Sequence, residues 1–490
     1  MKEKRQSKAL VIAAYGYLFL PFLIFIGGWL KWYFAVPMLL FLLFVFYRMA
    51  RGAPELWVPA PRGREVGKLI LILCVIGVWV FFSGIGKFTF QNEDHNTRNV
   101  MFDMLVNEDW PLIYTDPPAQ YYGEPVAFTY YLGFWLPAAL VGKAFGIAAG
   151  RLAMLVWAFI GVALFYYLVL AKIVRKLTLW PLLIFLFFSG MDILGMLFLG
   201  RSWRDVGLTE HIDWWAGTFQ YSSFTTQLFW VFNQAVPAWV ATLLILNQKS
   251  SRYVVPILAL SMITSTLPFI GLIPFAVYIA FRNYGRYHGF RPFSPRTFAR
   301  EMLTVENVGG GGIIGIVSFL YLSNNFAGGR IGFNPFSSFG GILTLYLVFI
   351  LCEALPLLAL LYRKQRHKKL YTIAAISLLV IPLFKVGGNV DFCMRVSIPA
   401  LVVLYLLVVD TFLRTGFGKR QRLRSVALAA VLVIGSVTPI KEITRTTSET
   451  IRRERAGEPV YIEDLDPMEA SWRDNFFGGT DSFFYHYLVR

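Results

Sequence analysis

Apolar runs of about 20 residues recur along this 490-residue chain, and that is the length a helix needs to cross a hydrocarbon core about 30 Å thick. Short basic or polar loops separate them. In lipid the backbone must satisfy its own polar groups, so such a series folds as a bundle of helices. Composition agrees: the chain is 57% hydrophobic and 17% aromatic but only 15% charged, against about 25% charged in an ordinary soluble domain. A cytosolic enzyme, a disordered tail, a collagen and a disulfide scaffold are excluded. The expected fold is an all-α polytopic membrane protein.

The net charge of +17 is placed between the apolar runs. Seven segments, at Lys2 to Lys8, Arg48 to Lys68, Lys172 to Lys176, Lys249 to Arg252, Arg282 to Arg300, Arg363 to Lys369 and Arg414 to Arg424, hold 29 of the 46 Lys and Arg residues. Short basic loops stay in the cytoplasm, so the charge orients the chain and calls for no nucleic acid. The partner it implies is the lipid bilayer. Cys74, Cys352 and Cys393 are widely spaced and odd in number, which suits small buried hydrophobes. The first apolar run lacks a small-residue cleavage pattern and reads as a retained helix.

Keeping basic loops inside fixes a path. Helices at 9–28 and 33–48 form an N-terminal hairpin, and 49–66 is a cytoplasmic linker, so 1–66 is one unit. Helix 67–88 runs outward and delivers an acidic loop, 91–125, to the external face. Segment 128–146 is an interfacial helix, because a crossing there would leave Lys172, Arg175 and Lys176 outside. Helices at 152–174, 179–200 and 226–247, with an external loop at 201–225, complete a core over 67–250. In 251–440, residues 253–281 form two short helices broken around Ser265 to Pro268, and Gly309 to Gly312 reads as a flexible turn. Helices at 312–324, 341–362, 370–387, 395–414 and 425–440 follow. The path makes about 13 transmembrane helices, with the N-terminus cytoplasmic and a short external C-terminal tail at 441–490. A bacterial plasma membrane is the expected location.

Candidate chemistry gathers on the outer side. Glu93 and Asp94, flanked by Asn92, His95, Arg98 and Asn99, follow the run that ends near Phe90. Carboxylates at a helix mouth beside low-dielectric surroundings suit a general base, although a solvated loop would use the same residues. Asp192 (SGMDILG), His211 and Asp213, and Asn233 and Gln234 (WVFNQAVPAW) lie at the same level and are substrate-binding candidates, as are His95, Arg98 and Asp391. Polar groups at membrane depth line cavities or pair with one another. Asp391 and Arg395 (VDFCMRVSIP) are spaced for an intrahelical ion pair; Arg395, with Lys385 before it, could equally be a fixed cation for a phosphate. Glu93, Asp94, His95 and His211 offer ligands to a divalent metal without a recognisable spacing. Glu353 reads as the buried partner of a basic residue, Asp410 as the partner of a nearby Arg, and His288 and His367 as solvated. Tyr121, Tyr122, Tyr130, Tyr131, Trp214 and Trp215 suit sugar stacking or interfacial anchoring. No phosphate loop, dinucleotide fingerprint or zinc helix is present.

An outward helix ending at an acidic pair, then RNVMFDMLVNEDWPLIY, then PPAQYYGEPVAFTYYLGFWLPAALVGKAFG and an Arg-initiated apolar helix ending in basic residues: this order resembles the GT-C superfamily of membrane glycosyltransferases. The resemblance is clearest over 67–250. It implies a GT-C-like fold, a polyprenyl-phosphate-linked sugar donor and a glycan or lipid acceptor. It makes Asp94 the catalytic base, with Glu93 the alternate, and an outer cation, Arg395, the holder of the donor phosphate. Transfer would then proceed with inversion. Two other classes fit the pattern less well. A flippase of a lipid-linked saccharide would use the helix break near Pro268 and carry inverted repeats. A glycan polymerase or ligase would need several outer Arg residues, for which Arg201, Arg204 and Arg330 are the further candidates.

Overall fold

The computed structural model describes residues 6–115, 125–202, 204–208, 210–289, 293–327, 331–334, 341–386, 390–414 and 419–490. Tyr121, Tyr122 and Arg330 lie outside these. Helices dominate. Seven described helices are long and apolar enough to cross a membrane: Ala9–Trp29, Trp32–Arg51, Ile147–Val174, Phe224–Asn247, Thr266–Tyr287, Val305–Leu322 and Arg422–Ala456. An eighth candidate is Ile342–Glu353 with Leu355–Gln365, bent by 52°. Shorter apolar helices are Leu136–Phe145, Ser251–Leu260, Lys369–Leu383 and Ile398–Leu413. Long side chains such as Leu40, Ile70, Leu347, Ile376 and Val433 stand exposed along the outer helices. An apolar surface of that extent needs lipid or a partner to cover it.

Helix Phe224–Asn247 is the axis of the bundle, and every one of its residues is buried. Helices Ile147–Val169, Thr266–Tyr287, Ile398–Leu413 and Val437–Ala456 pack around it. Its apolar half seats Trp239 among Phe165, Phe185 and Phe224, with ring centroids 5.8, 5.0 and 5.8 Å away. Two indoles drawn into this core are paired: Trp239 Nε1 donates to Gln227 Oε1 at 2.9 Å and Trp79 Nε1 to Thr225 Oγ1 at 3.2 Å. A buried donor left alone would cost about 1–3 kcal/mol.

Three small sheets staple the two ends. At one end Gln6–Ser7 pairs antiparallel with Leu56–Trp57. At the other, Val126–Phe128 is the middle strand between Ile113–Tyr114 and Phe477–Gly479, with Phe128 opposite Phe477. Ile331–Phe333 pairs with Phe384–Val386.

Several elements depart from the sequence expectations. The helix expected over 179–200 is two short pieces, Trp180–Leu186 and Asp192–Phe198. Between them Ser189 Oγ donates to Asp192 Oδ2 at 2.7 Å and Met191 N to the Cys352 carbonyl at 3.1 Å, so polar groups leave the helical ladder for side-chain and cross-chain partners. Gly309 to Gly312 is helical rather than a turn. Gly309 and Gly310 lie where Phe41 and Val45 would meet a side chain, and Gly311 where Val255 would, the use of small residues for close helix approach. The segment expected as one interfacial helix starts at the end of a strand, passes through a short 3-10 helix at Leu132–Phe134 and becomes α-helical over Leu136–Phe145, with Pro137 in its first turn. The helix pair at 253–281 is unequal: Val254–Leu260 is short, and Thr266–Tyr287 is long enough to cross. Residues from 441 onward continue as helix Val437–Ala456, and the chain then folds back, with Arg490 N donating to the Trp29 carbonyl at 3.1 Å. Cys352 and Cys393 are buried as expected, whereas Cys74 is exposed.

Candidate functional site

Central helix Phe224–Asn247 is kinked at Val231, whose φ of −134° and ψ of 35° are non-helical. The carbonyls just before the kink take side-chain donors from the acidic loop. Phe229 O accepts from Asn92 Nδ2 at 2.6 Å and from His95 Nε2 at 3.0 Å, and Trp230 O accepts from Arg98 Nη1. A kink exposes main-chain acceptors that must find partners elsewhere, and here they dock the loop. The docked residues open helix His95–Asn107. Asn92, His95, Asn96, Arg98 and Asn99 are all buried, so most of this loop start is not the solvated charge that its composition also allowed.

His95 is enclosed. Gln91 Nε2 meets its Nδ1 at 3.2 Å and Phe229 O takes its Nε2–H. Burial, with Arg98 close by, lowers its pKa to about 4, so the ring is neutral at pH 7. Both nitrogens are occupied, and Glu93 points to solvent. The metal set Glu93, Asp94, His95 and His211 therefore does not assemble; among the described residues no group of three or more His, Cys, Asp or Glu side chains is placed to hold an ion.

The charged pair differs. Asp94 sits at the mouth of the site, its side chain 38% exposed, with Oδ2 2.8 Å from Arg98 Nη2. Arg98 lies within electrostatic reach of Arg395, Tyr130 and Tyr131, and Arg395 within reach of Asp94. Arg395 donates through Nη1 to the Tyr131 hydroxyl at 2.8 Å and pairs through Nη2 with Asp391 Oδ1 at 3.0 Å. The intrahelical ion pair that the spacing suggested is thus formed, yet among the described residues Arg395 Nε is buried without a partner. Tyr130 and Tyr131 have ring centroids 3.7 Å apart, tilted by 32°, and share a 2.6 Å hydroxyl bond. Two guanidiniums, two phenols and one half-exposed carboxylate, drawn from both halves of the chain, meet at one end of the bundle. Helix Asp391–Val396, which carries Arg395, is seated closely because Gly271 faces the Val396 carbonyl, where a Cβ would overlap it. Lys385 stands on strand Phe384–Val386, which packs against that helix.

His211 extends the site. It lies within electrostatic reach of Asp94 and of Arg445, and burial lowers its pKa to about 3. Its ring borders a cavity of about 330 Å³ whose walls include Arg201, Glu210, Trp214 and Trp215. Beneath it Asp192, Asp213 and Glu353 are buried together. Asp192 Oδ2 accepts from Ser189 and Thr438, each at 2.7 Å, and Glu353 Oε1 accepts from Trp215 Nε1 at 2.8 Å. Burial, reinforced by Asp192, pushes the Asp213 carboxyl well above the usual carboxylate range. Glu353 therefore neighbours other acids and an indole, not the basic residue expected for it. Asp410 does pair with Arg414 at 2.8 Å, and with Lys368 at 2.6 Å. His288 meets Glu301 at 2.6 Å.

Asn233 and Gln234 are fully buried on the central helix, and their side-chain amides have no partner among the described residues. Such groups await a ligand or ordered water. The sequence reading missed Glu442 and Arg445, which lie 2.5 Å apart; Glu442 also accepts from Trp230 Nε1 at 2.9 Å. Their i,i+3 spacing beyond the last apolar run was the available signal. Comparisons with family models, with curated proteins and with solved structures find no match for this chain.

Proposed function

We propose that the chain is a membrane glycosyltransferase that moves a sugar from a polyprenyl-phosphate carrier to an acceptor hydroxyl at the external face, with inversion, on a GT-C-like fold of about 13 crossings. The observation that carries the reading is the cluster of Asp94, Arg98 and Arg395 with the Tyr130–Tyr131 pair. Asp94 Oδ1, not engaged by Arg98, takes the acceptor proton as the acceptor oxygen bonds to the anomeric carbon. The bond from that carbon to the phosphate oxygen breaks, and the phosphate leaves with the electron pair. Positive charge builds at the sugar, as in glycoside hydrolysis, and negative charge on the phosphate, which Arg395 stabilises in a dry setting. The leaving group is already a stable anion, so no general acid is needed. Trp214 and Trp215 give the adjoining cavity a face for an acceptor sugar.

The test is transfer by the purified chain in vesicles from a labelled polyprenyl-phosphate hexose. Free polyprenyl phosphate released together with a glycosylated product supports the proposal; a donor that stays intact with every acceptor overturns it. A second reading, a ligase or polymerase using a diphosphate-linked donor, is favoured by Arg98 standing beside Arg395, because two phosphates need more than one cation. Release of polyprenyl diphosphate from the matching donor would select it.

A further inference from the structure

The end of the bundle opposite the Asp94 cluster carries a second cavity, of about 310 Å³. From Trp230, which meets Arg98, to Leu246, on the wall of this cavity, the central helix runs sixteen residues, about 24 Å of rise. The two places are therefore separated by most of a bilayer core and share no residue. Helices Phe224–Asn247 and Thr266–Tyr287 and the apolar span Ile147–Val174 all finish here, and the paired strands Gln6–Ser7 and Leu56–Trp57 close one side.

Five cations border the cavity, Lys172, Arg175, Lys249, Arg282 and Arg286, against one acid among its lining residues, the exposed Glu55. Two have structural work. Lys172 Nζ donates to the Leu246 carbonyl at 2.8 Å and Arg282 Nη2 to the Gln248 carbonyl at 2.8 Å, satisfying carbonyls at the C-terminal end of the central helix. Among the described residues Lys249 Nζ reaches only a main-chain oxygen, of Glu55, at 3.4 Å. Arg175 and Arg286 are exposed at the rim. Among the described residues none of the five is ion-paired to a carboxylate, and Lys172, Arg282 and Arg286 lie close enough to repel one another. Capping one helix accounts for two cations; it does not account for three more gathered round the same hollow, which a single carboxylate, Glu55, leaves in excess. A multiply charged anion seated there would remove that repulsion.

We propose that this cavity is a phosphate-binding site at the basic end of the bundle. Its ligand is a phosphate group, carried either by an anionic lipid headgroup, as in basic pockets between transmembrane helices, or by a free phosphate or diphosphate. The site is independent of the transfer reaction proposed above. Thermal unfolding of the full chain distinguishes the two sources. One arm adds inorganic pyrophosphate to the chain in neutral detergent; the other compares bilayer discs of phosphatidylcholine alone with discs that also contain phosphatidylglycerol. The control is the double variant Arg175→Gln/Arg286→Gln, which alters exposed rim residues and leaves both carbonyl contacts in place. Pyrophosphate is expected to raise the melting temperature if the ligand is free in solution, and phosphatidylglycerol if it is a headgroup. Apparent affinity should fall about fivefold for each cation removed. Absence of protection in both arms overturns the proposal, and so does protection that the double variant retains in full.

Discussion

Arg98 holds Asp94 at 2.8 Å through one guanidinium nitrogen and reaches the Trp230 carbonyl through another. One side chain thus ties the candidate base to the kink of the central helix. Arg98→Met removes both bonds and leaves a buried acceptor alone, so it should destabilise the chain by about 2 kcal/mol in denaturant unfolding. Arg98→Lys, which cannot bridge two acceptors in a planar fork, should recover only part of that loss. A melting curve identical to wild type for Arg98→Met would show that the loop is held elsewhere.

His95 gives the fold an acid limb. Its folded pKa is about 4, below the unfolded value of about 6.5. As pH falls below about 6.5 the unfolded chain takes up a proton that the folded chain refuses, so stability declines by about 1.4 kcal/mol per pH unit until about pH 4. His211, lowered to about 3, adds the same sign over a wider range. His95→Gln keeps a donor for Phe229 O and carries no titrating ring. Its melting temperature should therefore fall less than that of wild type between pH 7 and pH 4, and equal slopes would refute the assignment.

Arg395 should act on the donor phosphate. Arg395→Lys retains charge without the fork that meets Tyr131 and Asp391, and should lower kcat/KM for the lipid donor by about tenfold to a hundredfold. Arg395→Gln should lose more. The dependence on acceptor concentration should stay unchanged in both, and a change confined to the acceptor would move the phosphate site away from Arg395.

Gly271 tests how the cluster is held. Gly271→Ala forces a Cβ against the Val396 carbonyl, a backbone atom that cannot swing aside, and overpacking of this kind costs about 1–3 kcal/mol. Because the displaced helix carries Arg395, donor affinity should fall together with the melting temperature. Loss of stability with intact donor affinity would uncouple the two.

The helices and the cluster differ in how far they could be read from the chain. Runs such as 9–28 and 226–247 were legible because length and apolarity decide a crossing, and the structure shifts their ends by a residue or two. The ion pair of Asp391 with Arg395 was legible from its spacing. What spacing cannot carry is a partner supplied by a distant segment. Arg98 looked like loop charge because its acceptor, the Trp230 carbonyl, exists only where the central helix kinks. Helix Val437–Ala456 was read as tail because Glu442 and Arg445 end the apolar run, although in the fold they are buried against each other and against Trp230. The break near Ser189 was hidden because the hydropathy of a run does not register a hydroxyl bonding back to Asp192.

The central claim is that Asp94 accepts the acceptor proton. The direct measurement is single-turnover transfer by Asp94→Asn and Glu93→Gln, each checked for wild-type melting behaviour. Loss of a general base lowers the rate by about a hundredfold to ten-thousandfold. The account predicts a loss of that size for Asp94→Asn and a near-normal rate for Glu93→Gln, whose carboxylate faces solvent. An undiminished rate in Asp94→Asn, or the loss appearing in Glu93→Gln instead, would contradict it.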